Sequence, residues 1–521
     1  MSRIEVDPRS PKGLALAAAA EVVAQATGLV EYRSGGHVLV VGEPEPVRAA
    51  LAALPDPLTA TGICTGAPAG PEVGVGLRVW PREQVVVAGH LGAFDARFGG
   101  PEAEPRHFDL VLDLCPEPLL AMPLKPPGYL APGPAPEALA PAVEALAGLI
   151  GRFEKPQFFA YDPSICAHGA RGIGGCRRCI DACPAAAIVS IGEKIEVDPY
   201  LCQGGGVCAT TCPTGAITYR YPPAADTLER VRRMLAAYHA AGGDRAELLL
   251  HGAAVEPDGL GNDVLPLALE ELASAGVEIW LSALAFGARA VSLWRDAQTA
   301  ESVIALLDEQ RHVANAILEA IGFAPAVRWF GSAGAGPASM PAIERAGFAA
   351  SAGGKRPTLF MAIDHLYRQA PKPVAEAALP AGAPLGRIRV DRKGCTLCLA
   401  CASVCPAKAL SDGGDRPALR FYEQNCVQCG LCAAACPEHV VTLEPRVLYD
   451  ARLRREPVTL HEEEPFCCVS CGKPFATRSA LDKVLERLAG HPMFQDEASR
   501  RRLMMCDDCR VVDMMRDEAR R

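Results

Sequence analysis

What this 521-residue chain lacks narrows the reading first. It has no uncharged apolar run of about 18 residues, so no segment reads as a membrane span. It has no domain-length basic block, and its formal net charge is -9. Nucleic-acid binding is therefore without electrostatic support. An export signal is not expected either. Residues 13–20 (GLALAAAA) follow Arg3, Arg9 and Lys12, but Glu5 and Asp7 precede the run and Glu21 closes it. The run and its continuation, EVVAQATGLV, read as a helix. The first 30 residues hold no twin-arginine pair, the address a prefolded exported protein would need. The expected location is cytoplasmic. Wholesale disorder is excluded, because 50% of residues are hydrophobic and 22% charged, ordinary values for a globular chain.

Length alone suggests roughly three to five domains, and 49 glycines with 45 prolines suggest many loops. Residues 1–122 alternate apolar runs (HVLVVG at 37–42, QVVVAG at 84–89, FDLVLDL at 108–114) with a helical stretch, EPEPVRAALAAL. They read as a small α/β domain. Cys64 and Cys115 stand alone there and read as buried small hydrophobes. Residues 123–151 are proline-rich and read as a linker. A first cysteine tract follows at 152–222. Residues 223–370 hold no cysteine and read as a second α/β domain, with strands at 246–251 and 290–294 and helices around 227–238 and 301–321. A second linker (371–386) leads to a second cysteine tract at 387–446. A charged tail, 447–521, closes the chain.

Cysteine is the abundant residue that matters. Of 22, 15 fall at 166–212 and 395–436. Such clusters in a long chain read as metal ligands rather than disulfides. In the second tract Cys395, Cys398, Cys401 and Cys405-Pro406 form C-x2-C-x2-C-x3-C-P, and Cys426, Cys429, Cys432 and Cys436-Pro437 repeat it. Three thiolates on one tight loop wrap a cubic iron–sulfur core while loop N–H groups point at the sulfurs. The fourth cysteine is expected to open a helix, with proline in its first turn. This doubled run resembles the two-cluster bacterial ferredoxin family. The resemblance implies crossed ligand sets for two [4Fe-4S] clusters. Cys395, Cys398, Cys401 and Cys436 would form one, and Cys426, Cys429, Cys432 and Cys405 the other. Strands at 387–391, 419–423 and 440–444 frame them.

The first tract resembles the same family with two departures. Its first run, Cys166, Cys176, Cys179 and Cys183-Pro184, carries a glycine-rich insert (AHGARGIGG) after Cys166. Its second run, Cys202, Cys208 and Cys212-Pro213, has Gly205 where the pattern places a cysteine. The family pattern implies a [4Fe-4S] cluster on Cys166, Cys176, Cys179 and Cys212. Cys202, Cys208 and Cys183 remain for a second site. Three readings stand open there: a [3Fe-4S] cluster, a [4Fe-4S] cluster with an outside ligand or an open iron, and an empty site. His168 in the insert is read as a solvated loop histidine, with a substitute ligand as the alternative.

Between the tracts, residues 265–294 (LPLALEELASAGVEIWLSALAFGARAVSLW) are similar to a segment of hydrogenase and heterodisulfide-reductase iron–sulfur delta subunits. Those subunits use cysteines that are absent here, so only the fold carries over. GSAGAGPAS (331–339) reads as a plain loop, since Ser339 replaces the last glycine of G-x-G-x-x-G. In the tail, Cys468-x2-Cys471 and Cys506-x2-Cys509 suit tetrahedral zinc. A mononuclear iron or another cluster is a second reading, and uncoordinated thiols or a redox pair with Cys467 a third. Ser479 is the expected cap of the helix between the pairs.

The expected fold class is α+β: two ferredoxin-like dicluster modules, two α/β domains and a small zinc-ribbon-like C-terminal region. The whole arrangement looks like bacterial multicluster ferredoxin-type proteins, some of which accompany formate dehydrogenase or related molybdoenzymes. That resemblance implies single-electron transfer to or from a redox-enzyme partner; no residue does bond chemistry in this reading, and a true enzyme would rest only on an open iron at the Gly205 site. The alternative is an accessory that matures such an enzyme.

Overall fold

The computed structural model describes residues 7–23, 28–66, 77–254, 257, 259–296, 299–331, 340–349, 353–414 and 416–518. Residues 332–339, which hold nearly all of the glycine-rich 331–339 loop, lie outside the described residues.

The first domain is built on a parallel five-stranded sheet. Its order is Arg78–Trp80, Thr59–Thr65, His37–Gly42, Leu110–Asp113, Tyr129–Leu130. The central strand reads VLVV because it is covered on both faces. Val38 and Val40 pack with Val47, Ala50 and Leu146 of two helices on one side. Leu39 and Val41 pack with Val85, Val87 and Phe94 of an antiparallel three-stranded sheet on the other. Cys64 and Cys115 are buried in these layers.

Residues 123–151 are not a linker. They supply the edge strand Tyr129–Leu130 and the helix Pro136–Ala147, whose Ala142, Val143 and Leu146 are buried. Pro136 stands in the first turn of that helix, where a missing N–H costs nothing, so a proline-rich composition conceals an ordered segment. The strand Gly151–Pro156 then pairs antiparallel with Leu29–Ser34, carrying the first domain on to residue 156. The expected helix over the N-terminal run stops early, at Ala20, and Leu29–Ser34 is strand. That helix, Pro11–Ala20, is capped by Ser10, whose hydroxyl accepts from the Gly13 N–H at 3.1 Å. It belongs to the central domain, where Ala15 and Ala19 join the core beside the helix Ala224–Ala240. Alanine permits that close approach of two helices.

The central domain has a parallel four-stranded sheet in the order Val264–Leu269, Glu247–Gly252, Ala290–Leu293, Val327–Trp329. The helix Val277–Ala285 is buried along its whole length, which accounts for a sequence that is apolar except for Glu278 and Ser282. The helix Lys355–Arg368 buries Leu359, Phe360, Ile363 and Leu366 in the same core.

The second expected linker is also structured. Glu376–Ala378 pairs with the strand Val441–Leu448, and Leu379, Ala383 and Leu385 enter the central core. The boundary expected at 446 falls inside that strand. Beyond it, Val447 and Tyr449 are part of the central core, and the Tyr449 hydroxyl donates to Ile317 O at 2.6 Å. Val458–Glu462 adds a strand to Ala418–Phe421 of the second cysteine module. Among the described residues, no helix is long and apolar enough to cross a membrane.

Candidate functional site: four cysteine-lined cavities and a tetrathiolate

Each cysteine module is two short hairpins or strand pairs with two short helices. In the first, Phe159–Tyr161 pairs with Ile217–Tyr219 and Ile188–Ile191 with Lys194–Val197. In the second, Gly386–Val390 pairs with Val441–Leu448 and Leu410–Asp412 with Ala418–Phe421. The strands bring distant cysteines together. Cys395, Cys398, Cys401 and Cys436 line one cavity. Cys426, Cys429, Cys432 and Cys405 line a second. Cys166, Cys176, Cys179 and Cys212 line a third. Cys183, Cys202 and Cys208 line a fourth, with Gly205 in its wall.

The loops that carry these cysteines share an unusual backbone. Leu397 and Leu399 flank Cys398 with φ of 53° and 58°, and Gln428 and Gly430 flank Cys429 with φ of 54° and 87°. A left-handed leucine is costly, about 1–2 kcal/mol, and such strain gathers at functional sites. Gly204 and Gly206 repeat the pattern around Gly205, with φ of 83° and 71°. The Gly205 loop is therefore folded like the two loops that carry a cysteine at that place. A Cβ added to Gly205 would meet nothing within 4 Å.

The cysteine–proline pairs do not open helices as expected. Each ends a short helix and enters a turn whose later residue is left-handed: Ala186, Gly215, Lys408 and His439, with φ of 49°, 77°, 50° and 52°. The turn reverses the chain into the next strand. It also aims N–H groups at sulfur, with Ala409 N donating to Cys405 Sγ at 3.2 Å and Ala187 N to Cys183 Sγ at 3.4 Å. The Gln428 side-chain amide donates to Cys426 Sγ at 3.2 Å.

Electrostatics show what the cavities need. Burial, reinforced by neighbouring cysteines, pushes Cys179 and Cys401 up to about 12 and Cys429 up to about 11. Several thiolates packed in a dry cavity repel one another, and a cationic inorganic core is what makes them stable together. Cys212 differs. Burial works to raise it, but the Ile217 N–H, the Thr214 hydroxyl and the Lys355 ammonium outweigh burial and lower it. The donor set fits iron–sulfur clusters: soft sulfur ligands in converging groups with N–H groups directed at sulfur.

The insert after Cys166 forms a small hairpin, Gly169–Ala170 with Ile173–Gly174. It closes through Cys176 N donating to Ala167 O at 2.8 Å, which returns Cys176 beside Cys166. His168 is neither solvated nor a substitute ligand for the Gly205 cavity. It is buried, one ring nitrogen lying 2.9 Å from Cys176 O and the other 2.7 Å from Ser190 Oγ, and it lines the four-cysteine cavity instead. Its role is to fasten the hairpin.

In the tail, the sulfurs of Cys468, Cys471, Cys506 and Cys509 all lie within 4.8 Å of one another. Ser470 N donates to Cys468 Sγ at 3.4 Å, and Gly472 turns the chain with φ 76°. Burial opposes ionisation of Cys468, yet the N–H groups of Cys506, Cys471 and Ser470 bring it down to about 6. Cys467 is exposed and outside the group. The following helix, Arg478–Leu488, is capped by Thr477 rather than Ser479: its Oγ1 accepts from Ala480 N at 3.2 Å. The same hydroxyl donates to Thr396 O at 2.9 Å, tying the tail to the loop that carries Cys395 and Cys398.

Lys355 and Arg356 carry no motif, yet they stand among the cysteine sites. Both line a cavity of about 730 Å³ between the modules and the central domain, together with Cys212, Arg178, Glu278 and Gln310. Only the tertiary fold places them there, and nothing local in the sequence signals it.

The family model for the 4Fe-4S dicluster domain matches residues 394–441, and that for the 4Fe-4S binding domain matches residues 195–218. No curated protein matches the chain. The matches fall on both cysteine modules and support an iron–sulfur, metal-binding, ferredoxin-like protein.

Proposed function

We propose that this protein is a cytoplasmic electron-transfer protein with three to four iron–sulfur clusters, exchanging single electrons with a redox enzyme. Cys395, Cys398, Cys401 and Cys436 would hold one [4Fe-4S] cluster, and Cys426, Cys429, Cys432 and Cys405 another. Cys166, Cys176, Cys179 and Cys212 would hold a third. Bound clusters supply reversible one-electron chemistry, with potentials set by burial and N–H···S contacts. At the fourth site, three thiolates and the open space at Gly205 suit a [3Fe-4S] cluster. The tail tetrathiolate would hold structural zinc, given its closed four-sulfur set. Formate dehydrogenase or a related molybdoenzyme is the partner class we favour, on the sequence resemblance alone.

The observation that carries this reading is the convergence of crossed cysteine sets around separate cavities. The test is protein purified without oxygen, with iron, acid-labile sulfide and zinc quantified and electron paramagnetic resonance recorded. Three to four clusters per chain and a signal of oxidised [3Fe-4S] are expected. Protein that contains neither iron nor sulfide after anaerobic reconstitution would refute the proposal.

A further inference from the structure

The central domain reaches both cysteine modules from one point. The helix Lys355–Arg368 starts after Gly353 and Gly354, whose φ values of 97° and 96° admit the sharp entry. Consecutive residues of a helix project about 100° apart, so the first two side chains go to different neighbours. The Lys355 ammonium donates to Ala209 O at 2.8 Å and to Thr210 O. These are carbonyls at the end of the short helix Val207–Thr211, next to Cys212. The Arg356 guanidinium goes to the second module. It donates to Gln424 O at 2.7 Å, to Cys426 O at 2.9 Å and to Pro384 O at 3.0 Å. Burial lowers Arg356 to about 10, so it keeps its charge at neutral pH.

The two cysteine sets addressed by these cations also face each other. A Cβ on Gly175 would lie 2.7 Å from the Leu431 side chain. Gly175 precedes Cys176, and Leu431 precedes Cys432. The short helix Leu431–Ala434 packs against the hairpin strand Ile173–Gly174.

We infer that Lys355 and Arg356 form a two-headed cationic bridge that seats the Cys212 set against the Cys426 set and raises the reduction potential of the cluster in each. The inference rests on the iron–sulfur reading above. The two side chains are positioning residues, since they bind main-chain carbonyls beside ligands rather than the clusters. Reduction adds one negative charge, which a nearby cation stabilises. Each cation therefore acts most on its own set.

The test is redox titration of the anaerobic holoprotein, followed by electron paramagnetic resonance, in Lys355→Met and Arg356→Met. Substitution of Cys176 and of Cys429 by serine assigns the two signals. Lys355→Met is expected to make the Cys212-set cluster about tenfold harder to reduce, about 59 mV for one electron, with the Cys426-set cluster unmoved. Arg356→Met is expected to do the reverse. The double variant is expected to weaken the magnetic interaction between the two reduced sites, while Lys355→Arg and Arg356→Lys keep both potentials. Unmoved potentials at full iron content, or equal shifts of both clusters in each single variant, would overturn the inference. If a methionine variant loses iron, the charge-conserving pair decides: retained iron and potentials support the bridge, and iron loss there too overturns it. Wild-type protein without iron or sulfide refutes the underlying reading instead.

Discussion

Replacing Gly205 with cysteine tests the fourth cavity directly. Three features of the structure set the expectation. The flanking Gly204 and Gly206 have the left-handed φ of the residues flanking Cys398 and Cys429. The added Cβ meets no atom within 4 Å. Gly205 is not itself among the positive-φ residues, so a side chain there is unstrained. Gly→X substitution at a compatible backbone position restricts the unfolded chain and stabilises by about 0.4–1 kcal/mol, so Gly205→Cys is expected to fold at least as well as the parent. The new thiolate completes a four-cysteine set with Cys183, Cys202 and Cys208. The iron content is then expected to rise by about one atom per chain as the proposed [3Fe-4S] site becomes [4Fe-4S]. In electron paramagnetic resonance of the oxidised protein, the [3Fe-4S] signal should vanish. On reduction, a further [4Fe-4S] signal should appear. Unchanged iron together with a persisting oxidised signal would refute the argument that this loop is preformed for a fourth ligand.

Other predictions concern single features. Gly206→Ala places a Cβ 2.7 Å from Ser274 backbone at φ 71°, so a loss of about 2 kcal/mol and selective loss of the Cys183/Cys202/Cys208 cluster are expected; thermal unfolding and iron analysis check this. Cys471→Ser should remove the zinc proposed for the tail and melt that region while leaving the iron content of both modules intact, as metal analysis and proteolysis of residues 465–518 would show. Hydrogen bonds from Arg389 and then Arg387 hold the Glu444 carboxyl down to about 2. Its folded value lies below its unfolded one, so its contribution is present above about pH 4.5 and is lost as pH falls toward 2. Glu444→Gln should therefore cost only about 0.5 kcal/mol at neutral pH, because Arg389 is exposed and Glu444 partly so. A denaturant series on the anaerobic holoprotein at about pH 7 measures it.

The parts of the fold legible in the sequence are those where chemistry or burial dictates residue type. The doubled cysteine runs and the crossed sets they imply need sulfur at fixed spacing. The strand at 37–42 needs apolar residues on both faces. The segments misread as linkers show the limit. At 123–151 and 371–386, proline and alanine obey local rules for turns and helix starts, while Leu146, Leu379 and Leu385 bury themselves against elements distant in sequence. No local pattern says which core an alanine helix joins, so Ala15 and Ala19 gave no sign of packing in the central domain. His168 looked solvated because glycines surround it, yet both ring nitrogens lie within hydrogen-bonding distance of polar partners contributed by the hairpin and Ser190. Lys355 and Arg356 were unreadable for the same reason: their partners are carbonyls, which every residue has.

Those same long-range contacts bear on how the modules differ from free-standing ferredoxins. The first module is gripped on two sides. From the first domain, Lys155 Nζ donates to Cys202 O at 2.6 Å and the Tyr32 hydroxyl to Tyr200 O at 2.6 Å. From the central domain, Ser274 crowds Gly206, and Val207 is part of the central core. The second module is bracketed by Leu379, Ala383 and Leu385 before it and by Val447 and Tyr449 after it, all in that same core. The tail adds the Thr477–Thr396 hydrogen bond. A cluster loop fixed from several sides reorganises little when its charge changes. Separation between clusters is then set by packed cores rather than by linker length. For the proposed electron transfer the two α/β domains contribute rigidity, and loosening either bracket should slow exchange between modules before it empties any cysteine set of iron.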